Sequence, residues 1–315
     1  PALAAGCSVV CKPAKETPLS ALAIAAILDE AGAPPGVVNV VPSSRPGPLT
    51  DALLADERVR KLSFTGSTEV GRMLLEKASS RVIVCSMELG GNAPFIVFAD
   101  ANLDEAIAGA MLAKMRNGGE ACTAANRFYV EEPIAEEFID RLTEKMSSVA
   151  MGNGLDDGTQ LGPLVNEETR DKVASLVSGA LSSGARATVG GRAPAGPGYF
   201  YPATVLDRVA PGSEILRTEI FGPVAPVVTF RSEKEAIELA NDTIFGLVSY
   251  VYTADLGRGL RVAEALETGM VGLNRGLVSD PAAPFGGVKQ SGIGREGGHE
   301  GMNEYLETKY VAVSW

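Results

Sequence analysis

The chain has 315 residues, 45% of them apolar and 21% charged, and a formal net charge of −11; this length exceeds what one hydrophobic core usually organises, so two compact units are expected. The composition excludes a disordered chain, and an acidic balance with no basic stripe excludes broad nucleic-acid binding. Four cysteines without the dense spacing of a secreted scaffold, one histidine, and no apolar run of about 18 residues predict a cytoplasmic protein with no metal site and no membrane span.

Taken in chain order, residues 6–12 (GCSVVCK) read as a short strand and 17–31 as a helix, with Thr17 at the cap and Pro18 in the first turn. A strand at 37–41, a helix at 48–56, a strand at 60–65, a helix at 68–79 and a strand at 81–87 follow. This alternation predicts an α/β unit with parallel strands and right-handed crossovers over the first ninety residues. The glycine pair in ELGGNAPFIVF (88–98) reads as a tight connection into a second unit. Helices at 103–115, 134–149, 170–183 and 233–241, with strands at 127–131 and 224–230, make that unit α/β as well. The Gly/Pro-rich stretch 189–199 is expected to be a surface loop, and the glycine-rich tail from 284 to end in a strand at 309–314.

Two segments carry candidate chemistry. SFTGSTEVG (63–71) sets a strand, a glycine turn and a Ser/Thr-rich helix start in succession. Backbone N–H groups there suit a phosphate, although Ser67 or Thr68 is equally a plain helix cap, and the G-x-G-x-x-G fingerprint is absent. NGGEACTAANRF (117–128) places Cys122 after an Asn-Gly-Gly turn at a helix end, where a side chain can face a cleft. By itself Cys122 also fits a small buried hydrophobe, and Glu88 a solvated or paired carboxylate.

Together the strings KPAKETP, FTGSTEVG, MELGGNAPF, NGGEACTAANRF, EIFGPV and PFGGVKQSGIGRE resemble the successive signatures of the aldehyde dehydrogenases, in order along the whole chain. MRNGGEAC, NRGLVSDPAAPFGGVKQSGIGREG and NEYLETKY are most similar to the succinate-semialdehyde subgroup. The resemblance implies an α/β fold with an incomplete Rossmann-type dinucleotide-binding unit over 1–90, an α/β catalytic domain over 91–288, and a C-terminal segment over 289–315 bearing an oligomerisation strand. It also implies NAD(P)-dependent oxidation of an aldehyde, succinate semialdehyde to succinate, through a thiohemiacetal and thioester on Cys122. Glu88 would be the general base for thioester hydrolysis, and the Cys122 N–H an oxyanion donor.

For the cofactor, the resemblance assigns Lys12 and Glu219 to ribose hydroxyls, Gly66 and Ser67 to the pyrophosphate, and Phe221 to the nicotinamide side. On their own, these residues fit a strand-end charge, a helix cap, an ion-pair partner and a core ring. Lys15 stands where many NAD-using members carry an acid, which favours NADP over NAD through attraction of a 2′-phosphate. For the substrate it implies Arg116 and Ser279 on the distal carboxylate and Phe285 on the pocket wall, with Arg275 as an alternative to Arg116. Arg116 also fits a helix C-terminal charge, and Ser279 a turn former. Ala124 replaces a second cysteine found in some members, and Glu120 replaces the usual Gln.

Pro1 corresponds to a point inside the family's nucleotide unit. About the first third of a typical member, with an oxyanion-hole Asn, a second carboxylate-binding arginine and part of an oligomer-building arm, would precede it. At full length a homo-oligomer, dimer or tetramer, is implied. The alternatives are a non-catalytic fragment with a structural or interaction role, and an aldehyde dehydrogenase for another aldehyde.

Overall fold

In the computed structural model, which describes residues 1–315, contacts group the chain into two units: Pro1–Glu88 with Asp280–Phe285 and Ile293–Trp315, and Leu89–Ser279 with Gly286–Gly292.

The first unit is built from short parallel pairs. Strand β1 (Val9–Cys11) is followed by helix α1 (Pro18–Glu30), β2 (Val38–Val40), α2 (Pro46–Ala55), β3 (Lys61–Thr65), α3 (Thr68–Ser79) and β4 (Val84–Glu88). β1 pairs with β2, and β3 with β4, both in parallel. Pro18 opens α1 because a first-turn residue needs no N–H donor. Ser67 caps α3, its hydroxyl accepting from the Val70 N–H. The apolar centre is small, formed by Leu54, Ala78 and Ile83 with Leu62 and Cys85 packed on it. α1 buries none of its residues, and Leu19, Ile24 and Ile27 are exposed.

The chain's last segment returns to this unit. Lys61 Nζ donates to Ser86 Oγ at 2.6 Å and pairs with Glu304 at 3.2 Å, and Ser86 Oγ donates to the same carboxylate at 2.7 Å. The strand expected at 309–314 does not form within the chain, since residues 306–315 have no ladder partner. A β-branched run becomes a strand only beside an edge that accepts its hydrogen bonds. Tyr310, Val311 and Val313 are exposed there.

The second unit contains β5 (Ala93–Val97), α4 (Leu103–Met115), β6 (Ala125–Glu131), α5 (Ala135–Ser147), α6 (Glu167–Ser182), β7 (Arg186–Val189), β8 (Thr204–Asp207), β9 (Val224–Phe230), α7 (Glu233–Asn241), β10 (Phe245–Gly246), β11 (Val248–Tyr252), α8 (Leu256–Ala265), β12 (Met270–Leu273) and β13 (Val288–Lys289). Seven strands form one sheet in the order β12-β11-β5-β6-β9-β8-β7, parallel except for the β7–β8 pair. Both faces are covered, as parallel sheets require. Phe95, Val97, Phe128, Val130 and Tyr250 meet α4 and α5 on one face; Ile96, Tyr129, Val228 and Val251 meet α6, α7 and α8 on the other. Burying each such large side chain contributes roughly 1.5–3 kcal/mol. The two-residue strands β10 and β13 form a separate antiparallel pair.

Candidate active site

In the first unit, parallel register sets Thr65 opposite Glu88, and the Gly66 N–H donates to the Glu88 carbonyl at 3.0 Å. The Gly66–Ser67 turn therefore lies beside the end of β4. α3 starts there, so its N-terminal amides and the positive end of its dipole stand at the carboxyl end of the strands, where open α/β units hold nucleotide phosphates. Lys12 sits past the end of β1 with its ammonium on the Pro13 carbonyl. Lys15 is exposed and paired with Glu16 at 3.3 Å.

Glu88 is 5% exposed, and its Oε2 has no hydrogen-bond partner. Burial pushes its pKa up to about 8; the negative charge of Glu296 adds to the rise, and Arg295 opposes it. A buried carboxyl that takes up a proton near neutral pH has the range required of a general base.

In the second unit, α4 ends at Met115, and the chain reverses through Asn117, Gly118 and Gly119, all with positive φ. The Asn117 side chain donates to the Glu120 carbonyl at 2.9 Å. Gly119 has no alternative: a Cβ there would lie 2.3 Å from the Gly222 carbonyl oxygen. The turn delivers Cys122, half-buried and in no disulfide, to the point where Gly91 passes. A Cβ on Gly91 would meet the Cys122 carbonyl oxygen at 2.0 Å, so this crossing too is closed to any side chain. The Gly91 N–H donates to Glu219 Oε1 at 2.9 Å. Thus Leu89–Asn92, the Cys122 loop and the Glu219–Gly222 turn are brought together. Phe221, in that turn, is half-buried with φ +57°.

Arg116 follows the last residue of α4 and is exposed, with Nη2 donating to Thr123 Oγ1 at 3.0 Å. Ser279 and Arg275 are exposed on the segment after β12. Phe285 belongs to the first unit, where its backbone bridges Glu296. Glu120 turns its carboxylate to the Val165 N–H at 3.0 Å, and burial raises its pKa against the pull of that bond and of Lys172.

Four residues outside the sequence reading hold this arrangement. Lys114 is wholly buried and donates to Asn126 Oδ1 at 2.9 Å and to the Gly222 carbonyl at 3.1 Å. Burial pushes its pKa down to about 7, with the charge of Glu219 opposing the fall. A sequence signal for it exists: Lys114 continues the apolar stripe of Ile107 and Ala110 on α4, a face that a solvated lysine would avoid. Arg127, also buried, donates to the carbonyls of Asn92, Leu239 and Ala240, closing the last turn of α7 and fixing the connection before β5. Asn92 donates to the Leu216 carbonyl at 2.8 Å, and the Tyr250 hydroxyl to the Thr123 carbonyl at 2.8 Å. No group of three or more His, Cys, Asp or Glu lies together as a metal site would require, and no helix is long and apolar enough to cross a membrane.

The model of the aldehyde dehydrogenase family matches residues 1–311. A succinate-semialdehyde dehydrogenase of Paenarthrobacter nicotinovorans is 55% identical, over 100% of this chain and 70% of its own length. The NADP+-dependent succinate-semialdehyde dehydrogenase of Escherichia coli K12 is 48% identical over 99% of this chain and 65% of its own length. A glutarate-semialdehyde dehydrogenase of Pseudomonas putida KT2440 is also 48% identical, over 100% of this chain and 65% of its own. The chain thus spans about two thirds of the length of these relatives. Among solved structures, an Escherichia coli NADP-dependent enzyme superposes with TM-score 0.98 at 48% identity, covering 100% of this chain and 65% of that one. Betaine aldehyde dehydrogenase of Staphylococcus aureus in complex with NAD+ gives 0.93 at 37% identity, covering 98% and 62%.

Proposed function

Because the chain belongs to the aldehyde dehydrogenase family, we propose that it carries the catalytic residues of an NAD(P)-dependent oxidation of succinate semialdehyde to succinate. The observation that carries this reading is the crossing of Gly91 over Cys122. Glu88 is three residues upstream of Gly91, so its Cα lies within about 11 Å of Gly91 along the chain. The connection that begins at this buried, proton-holding carboxyl thereby leads within three residues to the point where Gly91 meets the Cys122 backbone.

Cys122 adds its thiolate sulfur to the aldehyde carbon, and the carbonyl π pair moves to oxygen, where the Cys122 N–H stabilises it. An oxidised nicotinamide bound on the Phe221 side would accept the hydride that leaves this carbon, and the C=O double bond re-forms as a thioester on Cys122. Glu88 takes a proton from water as its oxygen attacks the thioester; collapse of the adduct expels the thiolate and releases the carboxylate. General-base help of this kind contributes about two to four powers of ten in rate.

Lys12 beyond β1 fits a ribose hydroxyl, Lys15 a 2′-phosphate, and the Gly66–Ser67 helix start beyond β3 the pyrophosphate. Glu219 and Phe221, on a turn pinned by Gly91 and Lys114, fit the ribose and nicotinamide end. A lysine at position 15, together with the NADP+ named for the E. coli relative, favours NADP over NAD. Arg116 and Ser279 bind the distal carboxylate, with Phe285 on the pocket wall. The full protein is a cytoplasmic homo-oligomer. The glutarate-semialdehyde relative favours a second reading, in which the preferred aldehyde is one methylene longer.

NADP+ reduction with succinate semialdehyde tests the proposal. Wild type turns over, Cys122→Ala does not, and Glu88→Gln stops after a single equivalent of NADPH. Turnover that survives loss of the thiol overturns the mechanism.

A further inference from the structure

We propose that Thr123 is the positioning residue that locks Arg116 at a set distance from Cys122 and thereby selects the chain length of the carboxylated aldehyde. This rests on the assignment of Arg116 to the substrate's distal carboxylate.

Arg116 starts an exposed turn, and an unrestrained arginine there would sweep its guanidinium through a wide arc. Thr123 removes that freedom. Its hydroxyl oxygen accepts from Arg116 Nη2 at 3.0 Å, and the residue is only 3% exposed. Thr123 is itself fixed, because its carbonyl accepts from the Tyr250 hydroxyl at 2.8 Å. Tyr250 is 1% exposed on β11, with its ring 5.9 Å from that of Phe95 on the neighbouring strand. The guanidinium is therefore anchored, through Thr123, to a buried ring of the sheet core.

Thr123 also follows Cys122 directly, with their Cα atoms about 3.8 Å apart across one peptide bond. The guanidinium is thus tied to the Cys122 backbone through one hydrogen bond and one peptide unit, and not by the left-handed turn alone. A guanidinium has five N–H donors, so one spent on Thr123 leaves enough for a bidentate carboxylate. An aldehyde carbon on the sulfur and a carboxylate on Arg116 are the two ends of one substrate. A fixed span fits one number of methylenes and misplaces the neighbours of that length.

The test compares wild type with Thr123→Val, which keeps the shape but has no acceptor, with Thr123→Ser, which restores it, and with Arg116→Ala. KM and kcat are measured on the full chain for succinate semialdehyde, glutarate semialdehyde and uncharged butanal. Thr123→Val is expected to raise KM for the carboxylated aldehydes about tenfold, the loss expected for one hydrogen bond to a charged group. It should also narrow the four- to five-carbon preference and shift butanal far less, while Thr123→Ser stays near wild type.

If Arg116→Ala raises KM for the charged aldehydes and Thr123→Val does not, the positioning role is wrong and the Arg116 assignment stands. If Arg116→Ala changes nothing, that assignment itself fails. Equal damage by Thr123→Val to all three aldehydes marks general loop disorder and also overturns the proposal. A readout independent of turnover is protection of Cys122 from iodoacetamide by succinate. Protection is expected in wild type and Thr123→Ser and reduced in Thr123→Val; identical protection in Thr123→Val and wild type refutes the role.

Discussion

Replacing Lys114 by Met removes a cation held where water cannot reach it, and the consequence depends on pH. The ammonium's pKa falls from 10.5 to about 7 on burial. At 1.36 kcal/mol per pH unit, that displacement means that keeping the folded lysine protonated costs on the order of 5 kcal/mol. Unfolded chains bind the proton up to pH 10.5 and folded ones only to about 7. Between those values the unfolded state therefore carries more protons, and stability rises with pH.

The methionine variant has no such slope. It also leaves Asn126 Oδ1 without the Lys114 donor, at roughly 1–3 kcal/mol. The Gly222 carbonyl still accepts from Val224 N–H at 2.9 Å. Wild type minus variant should accordingly grow by about 2 kcal/mol from pH 7 to pH 9 in urea unfolding. Far-UV circular dichroism is the suitable signal, because the single tryptophan, Trp315, is fully exposed. Glu88, whose raised pKa makes stability fall as pH rises from 4.5 towards 8, is common to both proteins and cancels in the difference. A difference that stays flat or shrinks with pH would refute the buried-ammonium argument.

Other consequences are equally direct. Thioester hydrolysis should accelerate as pH rises through about 8, where Glu88 loses its proton, and Glu88→Gln should abolish that limb of the kcat profile. Gly119→Ala drives a Cβ into the Gly222 carbonyl at 2.3 Å with φ at +80°, so a loss of at least about 2 kcal/mol is expected in the same urea assay. Arg127→Met takes a buried donor from three carbonyls and should lower stability by about 3–5 kcal/mol, measured by the urea midpoint.

Elements governed by local chemistry were legible in the sequence. α3 runs Thr68–Ser79 as its cap and periodicity predict, and α4 runs Leu103–Met115. α6 begins at Glu167, earlier than the expected residue 170, because the Asn166 cap and the acidic first turn carry no apolar signal. β5, β8 and β11 escaped reading, since a central strand buried on both faces shows no alternation, and β12 because a four-residue edge strand is too short to show one. β7 begins at Arg186, just ahead of the stretch expected to be a loop, and its register is set by β8. The site divides in the same way. Cys122 and Glu88 were found by resemblance, because an isolated cysteine or glutamate carries no local mark of chemistry. Thr123, Tyr250 and Asn92 act through bonds to residues far away in the chain or across a reversed turn, contacts that only the folded sheet creates. Lys114 alone left a trace, a charge on an apolar stripe.

In the proposed reaction Cys122 becomes acylated and Glu88 frees it. Mass spectrometry of proteolytic peptides from Glu88→Gln protein, quenched in acid after mixing with NADP+ and succinate semialdehyde, addresses both halves at once. A succinyl thioester is expected on the peptide containing Cys122, absent when NADP+ is omitted and short-lived in wild type. An adduct on Cys7, Cys11 or Cys85 instead, or none at all while NADPH accumulates, would contradict it.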